Sequence, residues 1–149
     1  MIAAGRANLP LLACVLAVLA TATWLATIWL GRPAVVAGRS MEPSLRDGDR
    51  VIVDLWTYDR RPPRVGEVVL ISAPETDGAW IVKRVARRGA RGELWLLGDN
   101  PRSSLDSRQW GWLPADRVVG RVVFRYWPPS RFGVAGRGSM ATGFRLPGR

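Results

Sequence analysis

The sequence predicts a mainly β domain preceded by one N-terminal transmembrane helix, and three observations carry that expectation. Leu9 to Leu30 contains no charged residue. From Val35 onward the chain breaks into short β-type runs separated by Gly, Pro and Asp. No later stretch shows a convincing 3.6-residue apolar period, so only the first segment reads as a helix. With 149 residues, the chain is long enough for one packed domain and an accessory segment, not for two cores. It divides into an N-terminal tail over 1–8, a membrane helix over 9–30, a folded domain over 31–129 and a disordered tail over 130–149.

Each element has a local reason. As a helix, Leu9 to Leu30 reaches about 33 Å, which matches a bilayer core of about 30 Å. Trp24 and Trp29 lie towards one end, where aromatic rings favour the interface, and Arg6 and Arg32 flank the run. A cleaved secretory signal is the alternative, with Val35-Val36-Ala37 supplying small residues, but the apolar stretch exceeds an ordinary signal core. Charge at both ends leaves the orientation open. Strands are expected at Arg50–Val53 after the Asp47-Gly48-Asp49 turn, at Val65–Ile71 after Pro62 and Pro63, and at Ala79–Ala86, Glu93–Leu97 and Val118–Tyr126. Beyond Pro128 and Pro129 the chain is rich in Gly and Arg and has little periodicity.

Composition excludes several chemistries. The chain has no histidine and a single cysteine, Cys14, inside the apolar run. A Ser-His-Asp triad and a Cys-His pair are therefore impossible, and neither a zinc site nor any other cofactor is expected. All but one of the 22 basic residues are arginine, the exception being Lys83. The net charge of +10 invites a nucleic-acid reading, but the arginines are scattered along the chain. Anionic lipid headgroups are the expected partner of that charge, and nucleic acid is not.

Arginine stays protonated at accessible pH, so Lys83 is the one plausible nitrogen base. A free lysine has a pKa of about 10.4, which leaves about one molecule in 2,500 neutral at pH 7; burial against apolar surface raises that fraction. On a strand over Ala79–Ala86, Lys83 shares a face with Ile81 and Val85, while Arg84 points the other way with Trp80 and Val82. A lone lysine is ordinarily a snorkelling surface cation. In a chain that otherwise uses arginine, its retention points to a residue that must release a proton.

Two further segments carry polar chemistry. Ser40 lies in Gly38-Arg39-Ser40-Met41-Glu42-Pro43-Ser44-Leu45, where a preceding Gly and a following Pro describe a tight turn able to present a hydroxyl and its N–H. Serines in such settings are ordinarily turn residues, and alone this one means little. The run from Gly98 to Gly111, Gly-Asp-Asn-Pro-Arg-Ser-Ser-Leu-Asp-Ser-Arg-Gln-Trp-Gly, reads either as a solvated loop or as hydroxyls and an Asp–Arg pair that brace a site.

In order, these three segments resemble the conserved boxes of the type I signal peptidases, the serine–lysine membrane proteases. The resemblance covers about residues 35–130 and implies a signal-peptidase-type β-rich catalytic domain over 31–129. It implies Ser40 as nucleophile, Lys83 as general base, Ser104 as a hydrogen-bond partner of the lysine, and Asp106 with Arg108 as a supporting pair. Asp99 would help shape the site, Met41 would contact substrate or membrane, and the Gly38–Ser40 turn would present the oxyanion-binding Ser40 N–H. Gly38 stands where some members carry a serine that helps bind the oxyanion. Only a short connection separates Lys83 from Gly98, so the extra β domain of larger members is absent.

The implied activity is removal of signal peptides from exported preproteins with small residues at −1 and −3. A single-pass anchor would hold the catalytic domain on the extracytoplasmic side of the plasma membrane, with Trp56, Trp110 or Trp112 dipping into the interface. Three rivals stay open. One is a short member that matures a dedicated precursor, since Gly120–Tyr126 is similar to theirs. Another is a non-catalytic membrane-tethered β domain. A self-cleaving repressor, the third, would need a DNA-binding helical domain where residues 1–34 are apolar.

Overall fold

The computed structural model describes residues 9–29, 31–75 and 78–135. Its first element is helix α1 (Leu9–Trp29). Leucine and alanine dominate this segment, and Pro10 is confined to its first turn, where a missing N–H costs nothing. Thr21 and Thr23 donate their hydroxyls back to Ala17 O and Leu19 O, at 2.9 and 2.7 Å, so neither presents an unpaired polar group. Among the described residues, no helix is long and apolar enough to cross a membrane; the side chains of α1 are described over residues 10–23. Residues 1–8 and Leu30 of the expected tail and span lie outside the described residues.

Beyond α1 the chain forms a single antiparallel sheet. Its strands are β1 (Arg32–Val35), β2 (Arg50–Asp54), β3 (Val68–Ser72), β4 (Trp80–Arg88), β5 (Leu94–Leu97), β6 (Val118–Trp127) and β7 (Gly133–Val134). They lie in the order β1-β2-β6-β3-β4-β5, with β7 pairing on β6. The long β6 changes partners along one side. Its first half pairs with β3 through Val69↔Arg121, and its second with β7 through Phe124↔Val134. The expected strands all occur, within a few residues of their expected ends. β1 is an addition to them, since Pro33 is a poor strand residue; as an edge strand paired only with β2, it needs no partner for that missing N–H.

Two corrections concern segments outside the main strands. Short helices α2 (Thr57–Arg60) and α3 (Ser107–Trp110) interrupt the β pattern. Helix α3 has a recognisable start, a capping box in which the Asp106 side chain accepts from the Gln109 N–H while the Gln109 side chain accepts from the Asp106 N–H. The disordered tail expected over 130–149 also begins too early. Residues Pro129–Arg131 form a 3-10 turn and β7 comes next, tied to the sheet by Ala135 N–H to Val123 O at 3.1 Å. Periodicity cannot reveal a two-residue strand. Residues 136–149 lie outside the described residues.

The core lies on both sides of β3. Val68 and Leu70 join Met41, Leu45, Val51, Val53 and Val122 in one cluster, whereas Val69 and Ile71 join Val85, Leu94, Leu96 and Leu113 in the other. Burial on both faces is why β3 reads as a continuous apolar run rather than an alternating one. Gly31, between α1 and β1, has φ +93° and a position where a Cβ would lie 2.2 Å from Val53 O, so only glycine lets the chain enter the sheet there. Ile71→Ala, at a fully buried position, is expected to cost about 2–5 kcal/mol, read as a lowered denaturant midpoint at unchanged slope.

Candidate active site

Lys83 lies on β4 opposite Val69, on the face that carries Ile81 and Val85 into the second core cluster. This is the face expected from alternation. Its side chain is buried at 4% exposure, and among the described residues no hydrogen bond or ion pair engages its Nζ. Burial, the largest influence, pushes the amine below its ordinary value of 10.5, helped by Arg108 and opposed by the charges of Asp106 and Asp99.

Ser40 belongs to the excursion between β1 and β2. The neck of that loop is closed by Val36 N–H to Asp49 O and Gly48 N–H to Val36 O, at 2.8 and 2.9 Å. Gly38 has φ +88° and donates its N–H to Asp47 Oδ1 at 2.8 Å, so it shapes the turn and has no N–H left for an oxyanion. The Ser40 N–H, by contrast, has no partner among the described residues. Ser40 and Lys83 line one cavity of about 560 Å³, whose walls include β1, the Val36 and Ala37 that follow it, and the start of β4 from Trp80.

The third polar segment meets the serine turn through its backbone. Asn100 N–H donates to Ser40 O at 2.9 Å. At Gly98 a Cβ would lie 2.2 Å from Ser104 Oγ and 2.6 Å from Ser40 O, so glycine is what allows the two segments to touch. Asp106 is fully buried and accepts from Gly98 N–H at 2.9 Å, from Ser104 Oγ at 2.7 Å, and from Arg108 Nε and Nη2 at 2.8 and 2.6 Å. Burial opposes its ionisation, but these donors outweigh it and hold the carboxyl below the usual range.

The expected Asp106–Arg108 pair is therefore present, and Ser104 is beside it. Ser104 differs in its partner: its hydroxyl proton goes to Asp106 rather than bonding Lys83, because a fully buried carboxylate is the stronger acceptor. Asp99 is held by Arg84, which donates Nε and Nη2 to its two oxygens at 2.7 and 2.6 Å. Arg84 also donates to Gly66 O at 2.8 Å and Ser44 Oγ at 3.2 Å, linking β4 to the serine loop. The alternation that singles out Lys83 places Arg84 on the opposite face but leaves its bracing role unseen. An arginine buried at 3% exposure needs a carboxylate, and Asp99 is the nearest candidate in the polar run.

Two expected contacts are corrected. Met41 is 1% exposed and packs in the first core cluster. It cannot reach a membrane, because the apolar side chain gains more from the core directly beneath the turn; the other expectation, contact with substrate, is not contradicted, since Met41 also lines the cavity. Trp110 is likewise not free to dip into an interface. It packs against the second cluster and donates Nε1 to Glu75 at 2.9 Å, whereas Trp56 and Trp112 are 43% and 44% exposed.

Comparison with known proteins shows the family. Residues 8–90 and 87–127 match the family model described as signal peptidase, peptidase S26. A probable signal peptidase I-1 of Synechocystis is 29% identical, with 88% of this chain and 87% of that protein covered. Thylakoidal processing peptidase 1 of Arabidopsis thaliana is 29% identical over 68% of this chain but only 44% of its own length. The human mitochondrial inner membrane protease subunit 1 is 29% identical, covering 70% of this chain and 75% of that one. With these two matched stretches taking in the serine turn, the lysine strand and the polar loop, the chain belongs to the peptidase S26 family of signal peptidases.

Proposed function

We propose that this protein is a membrane-anchored serine endopeptidase that removes signal peptides from exported preproteins, with Ser40 as nucleophile and Lys83 as general base. The observation that carries the reading is a buried amine without a hydrogen-bond partner among the described residues, lining the same cavity as the one serine on a glycine-shaped turn. A buried ammonium would demand a counterion or several acceptors; a neutral amine tolerates this site and can take a proton.

The chemistry is acyl transfer. Ser40 Oγ attacks the scissile carbonyl as its proton passes to Lys83 Nζ, and the unpartnered Ser40 N–H donates to the developing oxyanion. Lys83 returns the proton to the leaving amine, and water, deprotonated by the same amine, releases the acyl group. Asp106, Arg108 and Ser104 keep the polar loop in place, and Asp99 does so through Arg84.

Substrate would bind as an added strand. β1 is an edge strand, and β4 is paired with β5 only from Arg84 onward, so Trp80 to Lys83 also present a free edge to the cavity. An extended peptide between these edges finds backbone partners, and a wall of Ala34, Val36 and Val82 favours small side chains at −1 and −3. The uncharged run over residues 9–30 supplies the anchor, single-pass in the plasma membrane with the catalytic domain outside the cytoplasm. Near-complete mutual coverage with the Synechocystis signal peptidase favours a general peptidase over one dedicated precursor.

The primary test uses the full chain in detergent and a fluorogenic peptide with an Ala-x-Ala site. Ser40→Ala and Lys83→Arg are each expected to reduce cleavage to background; activity surviving in either would falsify the dyad. In the parent protein, kcat/KM is expected to rise with pH through a limb below 10.5, because activity follows the neutral amine.

Stability gives a second, independent check. An amine whose folded pKa is depressed binds fewer protons than in the unfolded chain, so stability rises as pH climbs from the lowered value towards 10.5. Lys83→Met should therefore be inactive yet at least as stable as the parent at neutral pH, with the parent catching up at alkaline pH. Thermal midpoints of the two proteins across that range measure the difference, and a parallel pair of curves counts against a depressed amine.

A further inference from the structure

We propose that the segment after β6 acts as a latch on the nucleophile turn, with Arg131 and Arg125 as positioning residues that work through the buried carboxylate of Asp49. The inference rests on the assignment of Ser40 as nucleophile and adds groups far from it in sequence.

Asp49 closes the loop that carries Ser40. It has 0% exposure and accepts the Arg46 N–H at Oδ2, 2.9 Å away. A carboxylate removed from water needs further donors, and both come from beyond the sheet centre. Arg131 Nη2 donates to Oδ1, and Arg125 Nη1 lies 3.6 Å from Oδ2. The same Arg125 nitrogen donates to Ser44 O at 2.6 Å, and Arg125 Nε donates to Arg131 O. Two guanidinium groups thus join the loop to the 3-10 turn Pro129–Arg131, which β7 and the Ala135–Val123 bond fasten to β6.

The linkage reaches Ser40 through a short rigid path. Leu45 N–H to Met41 O, at 2.8 Å, closes the turn between Ser44 and the nucleophile. Moving Ser44 O therefore moves the residues that precede it. On the opposite side, the loop is held by Asn100 at Ser40 O and by Arg84 at Ser44 Oγ. The nucleophile turn is clamped between the polar loop and the C-terminal segment, and releasing one jaw leaves Oγ free to drift. A displacement of about 1 Å from attack geometry can cost about a hundredfold in rate. Neither Arg125 nor Arg131 lines the cavity, so substrate binding should be spared.

The test is Arg131→Met in the full chain in detergent, which keeps much of the side chain's length and removes the charge. Active sites are titrated with a serine-reactive phosphonate, so that slow enzyme is distinguished from a smaller folded fraction. We expect kcat per titrated site to fall at least about tenfold with KM within about twofold, and Arg131→Lys to recover part of the loss. A kcat per titrated site within about twofold of the parent overturns the latch, including where total activity falls only because fewer sites titrate. If Arg131→Met does not fold, Arg131→Lys carries the test: a kcat per titrated site reduced at least about threefold at unchanged KM supports the latch, and any smaller reduction overturns it. Ser40→Ala separates the two readings. Cleavage surviving there removes the nucleophile and the latch with it, whereas an inactive Ser40→Ala beside an unimpaired Arg131→Met removes the latch alone.

Discussion

A lysine buried at 4% exposure, whose amine makes no hydrogen bond among the described residues, is the constraint around which this fold is arranged. Water would hold that amine charged; the apolar surroundings of β4, with Val69 opposite and Ile81 and Val85 alongside, push the other way. The double-sided burial of β3 serves the same need. A sheet covered on one face only would leave Lys83 either in solvent or facing nothing. Packing both faces of the central strand lets the neighbouring strand carry a polar head to the edge of the core, where it lines the cavity, while the sheet stays intact.

Permanent charges are used in the opposite way. Arg84 with Asp99, Arg108 with Asp106, and Arg125 and Arg131 with Asp49 form three buried or half-buried groups around the serine turn and the polar loop. Guanidinium groups in two of them also reach the backbone of another segment, Arg84 at Gly66 O and Arg125 at Ser44 O. Such pairs contribute little net stability when desolvation is counted, but removing one partner strands a charge, so they enforce a particular arrangement of loops. Arginine suits that task because it does not release its proton. The division between 21 arginines and one lysine, the only cation able to serve as a base, is therefore physical as well as compositional.

The candidate site is legible in the sequence where chemistry is tied to residue type. Absence of histidine, one lysine in an arginine-rich chain, and a Gly-x-Ser turn restrict which groups can exchange a proton, whatever the fold. Less legible is how the parts are supported. Ser104, expected to bond the lysine, gives its proton to Asp106 instead, a choice governed by which acceptor is buried nearest. Met41 sits next to the serine in sequence and packs in the core behind it, and chain adjacency cannot distinguish an exposed neighbour from a buried one.

By itself, then, the sequence determined the β-rich class, the positions of the main strands and the short set of groups able to move a proton, because alternation, turn residues and proton chemistry are local properties. Only the tertiary structure decided that Gly98 must lack a side chain to let Ser104 and Ser40 O approach, that Asp99 belongs to Arg84, and that Arg131 reaches Asp49 across 82 positions of chain. Those contacts join segments that no periodicity relates. They depend on how β6 exchanges one partner strand for another and on which charges are left facing each other once water is excluded.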